Sequence, residues 1–203
     1  MPRSGKIESV FLNIPYDTPF DDLYTAYTVG LTQLGLNVTA TLGFPNQDRL
    51  GMIFQLIEEA SISIHDLSRI EASHGTPRFN MPLELGIALY RARVFKGKHT
   101  VHVFESKPYR AQRSTSDINR IDPRIHHGTA KGVMAALRNI FRQPGDVTTV
   151  PEMLESYRAV KKRLPELRKN AGSKSLFEAS VFTDLKLASL VESQKLIARR
   201  HRS

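Results

Sequence analysis

The sequence predicts an α/β protein: a flavodoxin-like (Rossmann-like) parallel sheet with flanking helices and a C-terminal helical extension. Three observations predict it. Four β-favouring runs alternate with helical patterns through most of the chain, the order that builds a parallel sheet. Their connections are short, as right-handed strand–helix–strand units require. The last quarter then changes to two helical patterns with a surplus of cations. The expected division is an α/β domain over residues 1–146 and a basic helical extension over 147–203.

The first run, Ile7 to Ile14 (IESVFLNI), is apolar enough to be buried on both faces of a sheet. In the turn that follows, Thr18 suits an N-cap, Pro19 the first helical position and Asp21 the acid of a capping box. Leu23, Ala26, Tyr27, Gly30, Leu31 and Leu34 recur at helical spacing, and Gly35 ends that helix. Leu36 to Leu42 reads as the second strand. Leu50 to Ala60 reads as a helix with Ile53, Leu56 and Ile57 inward. Ser61 to Leu67 is the third strand. The next helix, Met81 to Val94, has Pro82 in its first turn and Leu83, Ile87 and Tyr90 at helical spacing. Thr100 to Glu105 is the fourth strand. Ser106 to His127 has no apolar period and reads as a long loop. Lys131 to Gln143 is amphipathic. Glu152 to Asn170 and Ser175 to Arg200 are helical segments separated by AGSKS, and Pro165 is expected to kink or split the first of them.

A chain of 203 residues, 40% hydrophobic and 24% charged, suits one sizeable globular domain with an appendage. No apolar run approaches the ~18 residues of a membrane span, and MPRSGKIESV has no signal-peptide core. The absence of cysteine excludes disulfide and thiolate chemistry and makes the cytoplasm the expected compartment. The net charge of +9 is uneven: from Pro151 onward twelve Lys or Arg stand against six Asp or Glu, against seventeen and fourteen before it. This surplus suits nucleic acid or an acidic protein as partner of the C-terminal helices. A solvated helical face explains it equally well. Leu176, Phe177, Val181, Leu185, Ala188 and Val191 also form an apolar stripe that suits a homodimer.

Several chemistries lack their motifs. The chain has no GxGxxG, no GxxxxGK[ST], no HExxH and no GxSxG. His99 and His102, three apart on a strand, project to opposite faces, and His126 and His127 are adjacent in a loop. Neither a metal nor a cofactor is expected. What remains is a set of polar residues gathered by the α/β wiring. Asn13, Tyr16 and Asp17 follow the first strand, and Asp66 and Arg69 the third. Arg78, Asn80 and Glu84 open the next helix, while Tyr109 and Arg110 follow the fourth strand. In an open parallel sheet all of these converge on the carboxyl edge, where ligands collect. Each singly has an ordinary explanation as a turn former, cap or packing group; their shared address is what singles them out. Glu84, placed in a first helical turn, is expected to favour its ionised form.

The run IHDLSR, a loop and then PRFNMPLELGIAL resembles a bacterial family marked by an HDLSR…PRFNMPxELG signature. That family is in turn similar to the nucleoside 2-deoxyribosyltransferase-like and TIR-like superfamily. The resemblance covers about Val10 to Phe104, FLNIPYD included, and departs in having Pro15 and Tyr16 where the transferases have a Gly-rich or Ser-rich first loop. It implies cleavage or transfer at the N-glycosidic bond of a nucleotide, nucleoside or NAD. Glu84 would be the nucleophile or cation-stabilising carboxylate, and Asp66 would hold a ribose hydroxyl or protonate the leaving base. Arg69 and Arg78 would bind phosphate, and Tyr16 or Tyr109 would stack on the base. Two other readings stand beside it: a non-catalytic nucleotide-sensing or signalling module, and a nucleic-acid-associated defence or regulatory protein that uses the basic tail.

Overall fold

The computed structural model describes residues 7–43, 48–70, 78–109, 122–143 and 147–200. Five parallel strands form one sheet: β1 (Ser9–Asn13), β2 (Asn37–Thr39), β3 (Ile62–Asp66), β4 (Thr100–Glu105) and β5 (Arg124–Ile125). Their spatial order is β2-β1-β3-β4-β5, the flavodoxin-like order. The connections carry α1 (Asp21–Gln33), α2 (Arg49–Glu59) and α3 (Asn80–Val94). After β5 come α4 (Ala130–Phe141), α5 (Val150–Asn170) and α6 (Ala179–Arg200). The order reverses between β1 and β3. Asn13 pairs in register with His65 there, so the crevice of the fold opens beside these two residues.

The sheet has two unlike faces. Phe11 packs with Ile53, Leu56, Ile57 and Ala88, beneath α2 and α3. Val10, Leu12, Ile62 and Ile64 face α1 and join one large core that extends through α4, α5 and α6. Every residue of α1 from Leu23 to Leu31 is buried, because the sheet covers one side of that helix and the C-terminal helices cover the other. The extension therefore builds on the same core as the sheet. Most of its expected dimer stripe is used within the chain: Leu176, Val181, Leu185 and Ala188 are buried and Phe177 packs on Tyr24 with ring centroids 5.1 Å apart, while Val191 stays exposed. Part of its positive charge is matched internally as well. Arg168 pairs with Asp21 at 2.5 Å, Lys161 with Asp22 at 2.7 Å and Arg200 with Glu152 at 2.8 Å.

Four local expectations change. A fifth strand, β5, closes the segment read as an irregular loop; it is two residues long and pairs Phe104 with Arg124. Thr18 opens a 3-10 turn instead of capping α1, and the carboxylate of Asp17, at the cap position, is drawn to two arginines. The helix of Pro165 runs unbroken from Val150 to Asn170. Burial of Tyr157, Val160, Leu164 and Leu167 around the proline outweighs the roughly 3 kcal/mol that an interior proline costs. In α3, finally, Leu83 and Tyr90 face outward, 56% and 69% exposed, while Met81, Glu84, Leu85 and Ala88 face in.

Candidate functional site

The carboxyl edge of the sheet gathers polar groups from every strand but β2. On the α2/α3 face a buried hydrogen-bond chain crosses the sheet. Asn13 donates to His65 Nδ1 at 2.9 Å and to the Met81 carbonyl at 3.3 Å. With Nδ1 accepting, the His65 ring hydrogen lies on Nε2 and is shared with Ser63 Oγ at 3.1 Å. Ser63 Oγ in turn lies 3.0 Å from His99 Nε2, and His99 Nδ1 donates to the Ala60 carbonyl at 2.9 Å. Every donor in this chain has one acceptor. Burial pushes His65 down to about 3, so the chain persists with neutral imidazoles. It fixes the amide of Asn13, and through Met81 it ties the end of β1 to the first turn of α3.

On the other face Asp66 is the organiser. Both oxygens accept: Oδ1 from Ser68 N–H at 2.9 Å, and Oδ2 from Tyr27 O–H at 2.7 Å. His126 Nε2 lies 3.1 Å from Oδ2 and 2.9 Å from Ser68 Oγ. The Gly128 N–H donates to His126 Nδ1 at 3.1 Å, which leaves the ring hydrogen on Nε2, facing Asp66. These bonds to His126, Ser68 and Tyr27 hold the Asp66 carboxyl below its ordinary range despite full burial, and the same carboxylate with desolvation raises Tyr27. Asp66 reaches no surface. Its contacts are with side chains that shape the site, not with an open crevice.

The loop after β5 is built for this histidine. His127 holds a φ of 54° and Gly128 one of 65°. Thr129 caps α4 by accepting from Gly132 N–H at 3.0 Å, and a Cβ at Gly132 would collide with the His126 carbonyl. Gly132→Ala is therefore expected to displace His126 and to destabilise by about 1–3 kcal/mol, the usual range for forced overpacking. Denaturant midpoints of the two proteins check this; an unchanged midpoint would show that the loop yields freely.

Between these clusters lie the charged candidates. Asp17 Oδ2 receives Arg69 Nε at 2.8 Å and Arg78 Nη2 at 2.7 Å. Its other oxygen, Oδ1, is buried with no hydrogen-bond partner among the described residues. Arg78 directly precedes α3, so this ion triad and the Asn13–Met81 bond both anchor the start of that helix beside β1. Glu84 follows on the inner side of α3, 3% exposed. It lies in the second turn, beyond the reach of the helix dipole. Desolvation outweighs Arg49 and the hydrogen bond from Asn80, and its pKa rises to about 7. The expectation of an acid kept ionised by the helix end is thus corrected: burial decides. Tyr16, close enough for its hydroxyl to feel Glu84, is raised to about 12 by burial; Thr41 Oγ1 bonds that hydroxyl at 3.2 Å and Phe177 packs on its ring at 5.5 Å. Tyr109 is 70% exposed with a φ of 63°. Arg110 lies outside the described residues.

Ser68, one of the polar groups that close the third strand in the sequence, bonds both Asp66 and His126. Two further groups at this edge were not among the candidates. Glu105, at the end of β4, is buried and accepts from Ser106 N–H at 2.6 Å; an acid closing an apolar strand run was the available signal. His126 carried none, because Asp66 and Ser68 lie in a distant segment. Among the described residues no three His, Cys, Asp or Glu side chains are grouped to hold a metal ion, and no helix is long and apolar enough to cross a membrane. No family model and no curated protein matches this chain.

Proposed function

We propose that the protein cleaves or transfers at the N-glycosidic bond of a nucleotide, nucleoside or NAD-like molecule, with Glu84 as nucleophile or cation-stabilising carboxylate. The observation that carries this reading is the state of Glu84: an acid withdrawn from water, poised at about 7, with Asn80, Arg49 and Tyr16 around it. Departure of the base leaves positive charge on the anomeric carbon. An anion held in a low-dielectric setting stabilises that charge far better than one in water. Asp17 Oδ1, the buried oxygen with no partner among the described residues, suits a ribose hydroxyl. Arg69 and Arg78 would meet a phosphate while holding Asp17. Tyr16 offers a ring for the base, with Tyr109 as an exposed second platform. Asp66 acts as a positioning residue through His126 and Ser68.

The test is release of free base from a panel of nucleotides, nucleosides and NAD, followed by mass spectrometry. Glu84→Gln should lower turnover by at least on the order of 10³. Wild-type turnover should rise with pH through about 7, as Glu84 ionises. Retained turnover in Glu84→Gln removes Glu84 from the mechanism. Binding without release of base supports the second reading, a nucleotide-sensing module, which the same pKa favours because much of the acid is protonated near neutrality.

A further inference from the structure

We infer that the outer face of α2 and α3 is the contact surface between two copies of this chain, related by a two-fold axis that passes near Gly86. The face is apolar and continuous. Phe54 on α2 lies beside Leu83, Gly86 and Tyr90 on α3, and Leu50 and Val94 follow one turn away on the same two helices; apart from Gly86, these side chains are all more than 40% exposed. No outward position of α3 from Phe79 to Tyr90 carries a charge, although 24% of the chain is charged. A surface helix meant for water alternates apolar and charged faces; α3 presents no charge outward until Arg91 and Arg93 in its last turn.

Gly86 is the second observation. It occupies the interior of a 15-residue helix, where glycine costs about 1 kcal/mol against alanine. Among the described residues nothing lies within 4 Å of where its Cβ would stand, so their packing does not demand it. A bare backbone between Leu83 and Tyr90 suits close approach of a second helix. Antiparallel pairing across a two-fold axis sets Leu83 of one copy against Tyr90 of the other, the reciprocal contact of an isologous interface.

Size and charge select a second copy as the occupant. The exposed apolar area is on the order of 600 Å², taking a whole aromatic side chain as roughly 200 Å². That is at the top of what lone monomers leave open and near the ~800 Å² each partner gives to a standard interface. Two chains of net charge +9 repel at long range, so a stretch without outward charge, such as Phe79 to Tyr90, is where they meet at least electrostatic cost. An acidic partner would find no outward cation to pair with along that stretch. Self-association here should hold or tighten as salt screens the repulsion, whereas charge-driven binding weakens.

Sedimentation of the full chain over a micromolar concentration series tests the inference. Wild type should approach twice the 22.9 kDa chain mass, at high salt as at low. Gly86→Arg, built into open space, and Leu83→Glu should each weaken association at least tenfold, without melting below wild type at concentrations where both are monomeric. Leu187→Glu, on the exposed apolar side of α6, should leave it intact. If Gly86→Arg does not fold, Tyr90→Glu reads the same contact. A wild-type monomer throughout overturns the inference, as does a dimer that survives these substitutions or dissolves only with Leu187→Glu.

Discussion

Glu84→Gln protein should be more stable than wild type above about pH 7, by on the order of 3 kcal/mol, and equal to it below about pH 4.5. The sign follows from proton linkage. Burial raises the Glu84 pKa from 4.5 to about 7 in the folded chain. Between those values the folded state binds more protons than the unfolded state, so stability falls as pH rises through the window. Above it the folded chain carries a buried carboxylate whose cost is complete, at about 1.4 kcal/mol for each pH unit that separates the folded and unfolded values. A neutral amide of nearly the same shape avoids that cost and can still bond Asn80. Thermal melts of both proteins from pH 4 to 9 measure it; parallel curves would show that the acid is not buried in its charged form. The same ionisation should carry turnover in the opposite direction, upward through about pH 7. A residue whose removal stabilises the fold while abolishing activity is held for its chemistry, and a residue of packing alone gives the reverse pairing. Arg49→Gln supplies a cross-check: it removes the charge that pulls the Glu84 pKa down, so both midpoints should move to higher pH.

Four of the five strands were legible because each is a short β-favouring run set between helical patterns, and the first is also apolar enough to be buried on both faces. β5 has two residues and no pattern; pairing with Phe104 and Glu105 creates it, and pairing partners are not local information. Helical spacing was legible in α3 but its phase was not. Leu83, Ile87 and Tyr90 keep the period as well as Met81, Leu85 and Ala88 do, and a helix apolar on both sides offers no contrast to orient it. In α1 the reason is different: α5 and α6 cover the side that would otherwise face water, so polar Thr25 and Thr28 lie buried with the leucines. At the candidate site, the wiring of the fold holds Asp17 against Arg69 and Arg78, and ties Asn13 to the first turn of the helix that carries Glu84. Their states were not readable. Whether Asp66 faces a crevice or a histidine depends on His126, 60 residues further on and with no motif of its own. Whether Glu84 is charged depends on desolvation, a property of packing rather than of helix position.

Asp66→Ala should cost about 3–5 kcal/mol, the largest loss expected for any single side chain at this edge. Three donors converge on the carboxylate: the Tyr27 hydroxyl, the Ser68 backbone N–H and His126 Nε2. All are buried, and none can turn to water when the acceptor disappears. Removing the shared acceptor of a buried cluster leaves its donors unpaired, which costs more than the bonds contribute when intact. Asp66→Asn separates charge from shape. The amide can still accept from Ser68 or Tyr27, but its NH₂ group faces a donor, so it should recover only part of the loss. Wild-type stability should fall with acid for the same reason. The folded-state pKa of Asp66 lies below its ordinary value of 3.8, so its contribution is complete above that value and is lost as pH drops through the lower, folded-state pKa. In Asp66→Ala that acid limb should flatten while the limb set by Glu84 between 4.5 and about 7 stays in place. Urea titrations across pH resolve the two limbs. Retention of the full acid limb in Asp66→Ala would assign it to other carboxylates and reduce Asp66 to an ordinary buried acceptor.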